Sequence, residues 1–171
     1  MVIRVVAAVL LSVALLSVSM PAIDTARVTT STERVETTAD RIERAAAGLA
    51  ADSVAVTDPA FAGRSVLVVT APSGFTAASI DRLQIVDASA NTTQSDADGV
   101  RLVYRFRHGS LRPVHIPPPT DPVDVDVAGE SVPLRTSGES RLVLRLVETD
   151  GPTVRIDRDR CADEVPISVV H

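Results

Sequence analysis

Residues 5–23 read VVAAVLLSVALLSVSMPAI, an apolar run of 19 residues with no charge between Arg4 and Asp24. As a helix, a run of roughly 17–25 residues spans the hydrocarbon core of a bilayer. The run is longer than the apolar stretch of about 7–15 residues usual in a cleaved signal peptide. Ser17-Val18-Ser19 is a small-x-small triplet that a signal peptidase can accept. A membrane anchor is therefore the first expectation and a cleaved signal the second. A buried core helix is the least favoured reading, because a soluble helix needs a wet face and no charged residue punctuates this run. Pro21 removes one helical hydrogen bond and marks either a kink or the exit from the membrane. Basic residues flank both sides (Arg4 before, Arg27 and Arg34 after), so the positive-inside rule does not decide the topology. The short N-terminal tail and the signal-like layout predict a single-pass protein of the cell membrane with its C-terminal part outside the cytoplasm.

The pattern then changes period. Val28, Val35, Ile42 and Leu49 recur every seven residues, and Thr32, Ala39 and Ala46 fall four residues after each of the first three. This makes a narrow apolar seam on a helix whose remaining surface carries Glu33, Arg34, Glu36, Asp40, Arg41, Glu43 and Arg44. Gly48 and Thr57-Asp58-Pro59 mark its end. Two occupants of the Val28, Val35, Ile42, Leu49 seam stay open: the chain's own folded domain, or sister helices in an assembly.

From residue 64 the pattern is that of strands. Residues 65–70 are apolar on both faces, as in an internal strand covered on both sides. Residues 83–86 form a second candidate, and residues 87–99 (DASANTTQSDADG) a polar loop. Residues 100–107 alternate, with Val100, Leu102, Tyr104 and Phe106 on one face and Arg101, Arg105 and Arg107 on the other. Residues 113–120 contain Pro117-Pro118-Pro119 and read as an extended connector. Val123, Val125 and Val127 alternate with Asp124 and Asp126, as an edge strand does. Residues 131–135, 141–147 and 153–157 read as consecutive antiparallel strands joined at Ser137-Gly138 and Asp150-Gly151. Residues 165–170 complete a single sheet, whose second face is rich in arginine. The expected class is α+β: a membrane anchor over residues 1–23, an amphipathic stalk helix and linker over 24–63, and an antiparallel β-rich domain over 64–171.

Composition adds limits. All 17 basic residues are arginine, and the net charge is −5. An acidic chain lacks the basic face that nucleic acids require, so no nucleic-acid partner is expected. The four aromatics, Phe61, Phe75, Tyr104 and Phe106, are too few for a base- or sugar-stacking platform. The core must come from Val, Leu, Ile and Ala. Cys161 is the only cysteine, which rules out an internal disulfide.

No chemical motif rises above background. Asp96-Ala97-Asp98-Gly99 opens like a calcium loop but lacks the later ligands. Asp121, Asp124 and Asp126 read as solvated acids, and His108, His115 and His171 have no ligand-like spacing. Neither a nucleophile elbow nor a phosphate or dinucleotide fingerprint occurs. No catalytic residue, cofactor or metal is expected. Asn91-Thr92-Thr93 fits the glycosylation sequon, which makes Asn91 a candidate modification site.

An apolar helix that runs into an amphipathic stalk and then a small antiparallel sheet resembles a type IV pilin or pseudopilin, although the apolar run carries no glutamate. In that family the apolar helices bundle and the sheet packs on the second half of the helix. The Arg-Val-Val-Ala start at residue 4, the Pro-Ala-Ile-Asp-Thr-Ala-Arg exit at residue 21, and Leu-Val-Leu-Arg-Leu ahead of Gly-Pro-Thr-Val are similar to an uncharacterised haloarchaeal membrane-anchored family. That family is associated with type IV pilus-like secretion loci. The resemblance implies a non-enzymatic envelope protein, pilin-like or accessory, whose partners are the membrane and sister subunits or secretion components. The rival expectation is an extracytoplasmic ligand-binding or sensory domain.

Overall fold

The computed structural model describes residues 2–74, 76–88, 99–107 and 109–159. One helix, α1 (Val2–Asp52), precedes eight strands: β1 (Gly63–Ala71), β2 (Ile80–Asp87), β3 (Val100–Phe106), β4 (Leu111–Ile116), β5 (Asp124–Val127), β6 (Ser131–Pro133), β7 (Gly138–Glu148) and β8 (Pro152–Arg158). The fold is α+β.

α1 runs through Pro21 without a break. Its second half contains no further proline and one glycine, and is otherwise rich in helix-tolerant Ala, Glu and Arg. Past Asp52 the chain turns back; the Asp58 carboxylate accepts the Ala60 N–H at 2.9 Å, a side-chain mimic of a backbone turn.

The strands form two sheets, ordered β1-β7-β8-β5 and β4-β3-β2-β6. The expectation of one sheet is therefore corrected. The two depart company at β6. Residues 131–135 do not continue into a hairpin with β7; β6 pairs antiparallel with β2, Ile85 opposite Val132, in the other sheet. Pairing there buries Val132 and Leu134 against the second sheet, and the Leu134 N–H donates to the Leu83 carbonyl. β7 and β8 do form the expected hairpin.

Three further readings change. Among the described residues β1 is an edge strand, not an internal one: it pairs with β7 alone, and Val66 on its outer face is 44% exposed. Residues 111–116 are a strand rather than a connector. Pro113 is accommodated because β4 lies at a sheet edge, where a missing N–H disrupts no second ladder. Only the Pro117-Pro118-Pro119 stretch links it onward. β5 is at an edge as expected, but runs parallel to β8. Cys161, His171 and the expected strand at 165–170 lie outside the described residues, as do Asn91, Asp96, Asp98 and His108.

Alternation explains the core. Val100, Leu102, Tyr104 and Phe106 of β3, Leu142, Leu144 and Leu146 of β7, and Val154 and Ile156 of β8 all point inward and form one cluster. Tyr104 and Phe106 meet edge to face, ring centroids 5.2 Å apart. α1 completes this cluster. It packs against β1, β7 and β8 of one sheet and β4 of the other, while β5 and β8 meet β2, β3 and β6 directly. The helix thus fills the side on which the sheets stand apart.

Ser31 is fully buried on α1, and its hydroxyl accepts the Ala78 N–H at 2.9 Å. Removing that acceptor strands a backbone donor. Ser31→Ala is expected to cost about 1–3 kcal/mol, read as a drop in the denaturation midpoint at unchanged slope.

Candidate functional site: the apolar half of the helix

α1 divides into two halves with opposite environments. In the first, Ile3, Val5, Val6, Val9, Leu10, Leu11, Val13, Leu15, Leu16, Met20 and Ile23 are all exposed. They lie around the whole circumference, so no stripe of this segment is reserved for its own domain. Its mean hydropathy over the best 18-residue window is 2.3, and the helix is long and apolar enough to cross a membrane. Each such side chain left in water forgoes about 1.5–3 kcal/mol of burial.

Two hydroxyls inside the run are satisfied within the helix. The Ser12 hydroxyl donates to the Ala8 carbonyl at 2.9 Å, and the Ser17 hydroxyl to the Val13 carbonyl at 2.8 Å. Thr25 donates to the Pro21 carbonyl at 2.9 Å, just after the point where the proline interrupts the ladder. Such back-bonding satisfies these hydroxyls within the helix itself.

The second half is buried. Val35, Ala39, Ile42, Ala46 and Leu49 lie between 0% and 7% exposed in the common core, with Val28 partly buried beside them. The alanines allow the sheets to approach closely. Of the two occupants open for the Val28, Val35, Ile42, Leu49 seam, it is the chain's own domain that takes Val35, Ile42 and Leu49; those three are not available to a sister helix.

Only one turn separates the two environments. Asp24, exposed, and Arg27, half-buried, form an ion pair at 3.5 Å, and Val28 is already in contact with the domain. From Ile23 to Ser31 is eight residues, or about 12 Å along the axis. The domain therefore sits against the end of the apolar segment.

The chain as a whole matches one family model, a domain of unknown function (DUF7311), over residues 2–159. The chain belongs to the DUF7311 family. The match takes in the apolar run, the packed half of α1 and both sheets, so in DUF7311 these are parts of one unit. Neither the curated proteins nor the solved structures hold a match to the chain.

The remaining sequence candidates are not drawn together. Asp124 and Asp126 share the outer face of β5, but each carboxylate accepts the backbone N–H of the next residue, at 2.7 and 2.6 Å. Asp126 also pairs with Arg155 at 3.5 Å. His115 is exposed on β4. Among the described residues no three His, Cys, Asp or Glu side chains converge. The arginine-rich face exists on the outer side of the first sheet, where register aligns Arg64, Arg145 and Arg155 with Asp126. Val143 and Val147 on that same outer side are only 5% and 3% exposed, as expected where long arginine stems flank them.

Arg105 donates two hydrogen bonds to Asp81, at 3.2 and 3.0 Å. This pairing holds the Asp81 carboxyl below its ordinary value. The folded form therefore gains from the pair above the usual carboxylate range near pH ~4, and loses that gain as pH falls through the lowered folded value. In Arg105→Ala the Asp81 titration is expected to move back up toward the ordinary value, followed by side-chain carbonyl NMR.

Proposed function

We propose that this chain is a non-enzymatic, membrane-anchored envelope protein of pilin-like design, single-pass, with its β domain outside the cytoplasm. It serves as a subunit or accessory component of a type IV pilus-related assembly. One observation carries the reading: a single continuous helix is apolar and exposed all round in its first half, and is part of the β domain's core in its second. That division of labour is what an assembly of bundled anchors with outward domains requires. Because the domain consumes Val35, Ile42 and Leu49, contacts between subunits run through the apolar half, residues 5–23.

The test is intact mass and fractionation of the native protein, followed by disulfide cross-linking of Val9→Cys and Leu16→Cys variants in a Cys161→Ser background. The expected result is an uncleaved chain in the membrane fraction that cross-links into oligomers. A chain beginning near Met20 in the soluble fraction removes the anchor and the whole reading. An uncleaved membrane chain that never cross-links keeps the anchor and sinks the assembly.

A further inference from the structure

The two ends of the β domain carry opposite charge, and the end next to the anchor is basic. Gly63 abuts Leu49 and Ser53, whereas Ala78 bonds to Ser31. β1 therefore runs back along α1 toward the apolar segment. The pairing of the other strands then places six connections at one end or the other, while residues 128–130, with Glu130, cross between the sheets. Residues 72–79, 107–110 and 134–137 lie at the anchor end; residues 53–62, 117–123 and 149–151 lie at the far end.

The far-end connections contain Asp58, Asp121 and Asp150 and no arginine. Those at the anchor end contain Arg107 and Arg135, both exposed, and no acid. Acids also stand near this end: Asp81, held by Arg105; Glu139 and Asp159, which share a pocket with Arg135, Arg141 and Arg158; and Asp24 and Glu33 on α1. In a chain of net charge −5, this separation is a dipole pointing its positive end at the membrane.

At that end lies an open groove of ≈ 340 Å³, lined among others by Ser73, Ser79, Arg107, Thr136 and Ser137, with no acidic residue. Its walls come from three connections distant in sequence. The Arg107 N–H is fixed by the Ser79 carbonyl at 2.9 Å, which ties two of them together. A guanidinium with several hydroxyls around it is a donor set suited to a phosphodiester monoanion. The level of Ser31 is about 12 Å beyond the apolar run, and headgroups occupy roughly the first 5–8 Å outside the hydrocarbon core. The arginine side chain covers the difference.

We propose that this groove is a docking site for the headgroup phosphate of an anionic phospholipid, with Arg107 as its charged ligand and the hydroxyls of Ser73, Ser79, Thr136 and Ser137 around it. The site rests on the anchor reading above. Its effect is to hold the β domain upright on one leaflet, since tethering gives the groove a permanent high local concentration of headgroups.

The test uses the full chain in nanodiscs of phosphatidylcholine alone, or with added phosphatidylglycerol, and reads backbone hydrogen exchange. Amides in 73–79 and 136–138 are expected to exchange about fivefold or more slowly in the anionic discs, while 119–123 and 149–151 do not change. Arg107→Glu erases the difference, and unchanged exchange in β7 and β8 shows that the variant is folded. A chain retained in both discs with equal exchange overturns the headgroup site and leaves the anchor standing. A chain retained in neither disc overturns both. The same protection produced by free glycerol phosphate over phosphatidylcholine discs overturns the lipid assignment in favour of a soluble anion.

Discussion

Ile42→Asp abolishes the folded β domain, and Ile42→Ala lowers its stability by about 2–5 kcal/mol. Ile42 is fully buried in the cluster that joins both sheets. Deleting three carbons there removes apolar contact from the cluster that both sheets share and leaves a void that rigid strands cannot close. Domains of ordinary size are stable by roughly 5–15 kcal/mol, so the alanine variant remains folded but near its limit. A carboxylate at the same place has no buried partner, and its desolvation exceeds what the fold can absorb. Tyr104 reports the outcome directly. It is the only tyrosine in a chain without tryptophan, 2% exposed, so its fluorescence follows unfolding of the shared core in denaturant. A denaturation midpoint left unchanged by Ile42→Asp would show that α1 is a free stalk rather than a core element.

That helix was the most legible part of the chain. A seven-residue recurrence of Val28, Val35, Ile42 and Leu49 states both the helix and the face it buries, because periodicity is set by local geometry. Strand pairing is a different kind of information. The alternation in residues 131–135 is the same whether the strand joins β7 or β2; the choice lies in burying Val132 and Leu134 against the second sheet, which no local pattern encodes. The apolarity of residues 65–70 misled in the same way. Leu67 and Val69 serve the core, while Val66 and Val68 lie on the outer face beside Val143 and Arg141, a position that composition alone does not distinguish from an interior one. Pro113 disguised β4 because proline excludes a central strand but permits an edge. The long apolar helix was readable by length and hydropathy. The groove at its end was not: it gathers Ser73, Arg107 and Thr136 from three connections with no fixed spacing, and only the direction of β1 along the helix brings them to one place.

The double variant Val13→Arg, Leu16→Arg is expected to leave the folded domain untouched and to remove the protein from the membrane. Val13 and Leu16 are 55% and 64% exposed, and each lies close to the centre of the apolar run. A charged residue at the middle of a spanning helix costs about 2.5–3.5 kcal/mol on insertion scales, and the two together displace the partition by roughly three to five powers of ten if their costs add. Neither position touches the core cluster, which begins at Val28, so surface replacement there changes domain stability by no more than about 0.5 kcal/mol. The measurements are the carbonate-resistant membrane fraction and the denaturant midpoint of Tyr104 fluorescence, taken on the same preparations. Loss from the membrane with an unmoved midpoint is the expected pair of results. An unmoved membrane fraction would show that residues 5–23 do not hold the chain there. A lowered midpoint would show that the run packs on the domain, contrary to the exposure of its whole circumference. The comparison with Ile42→Ala is the sharper for lying on the same helix: one substitution acts on the fold and spares the partition, the other acts on the partition and spares the fold, and the boundary between the two effects falls in the single turn from Asp24 to Arg27.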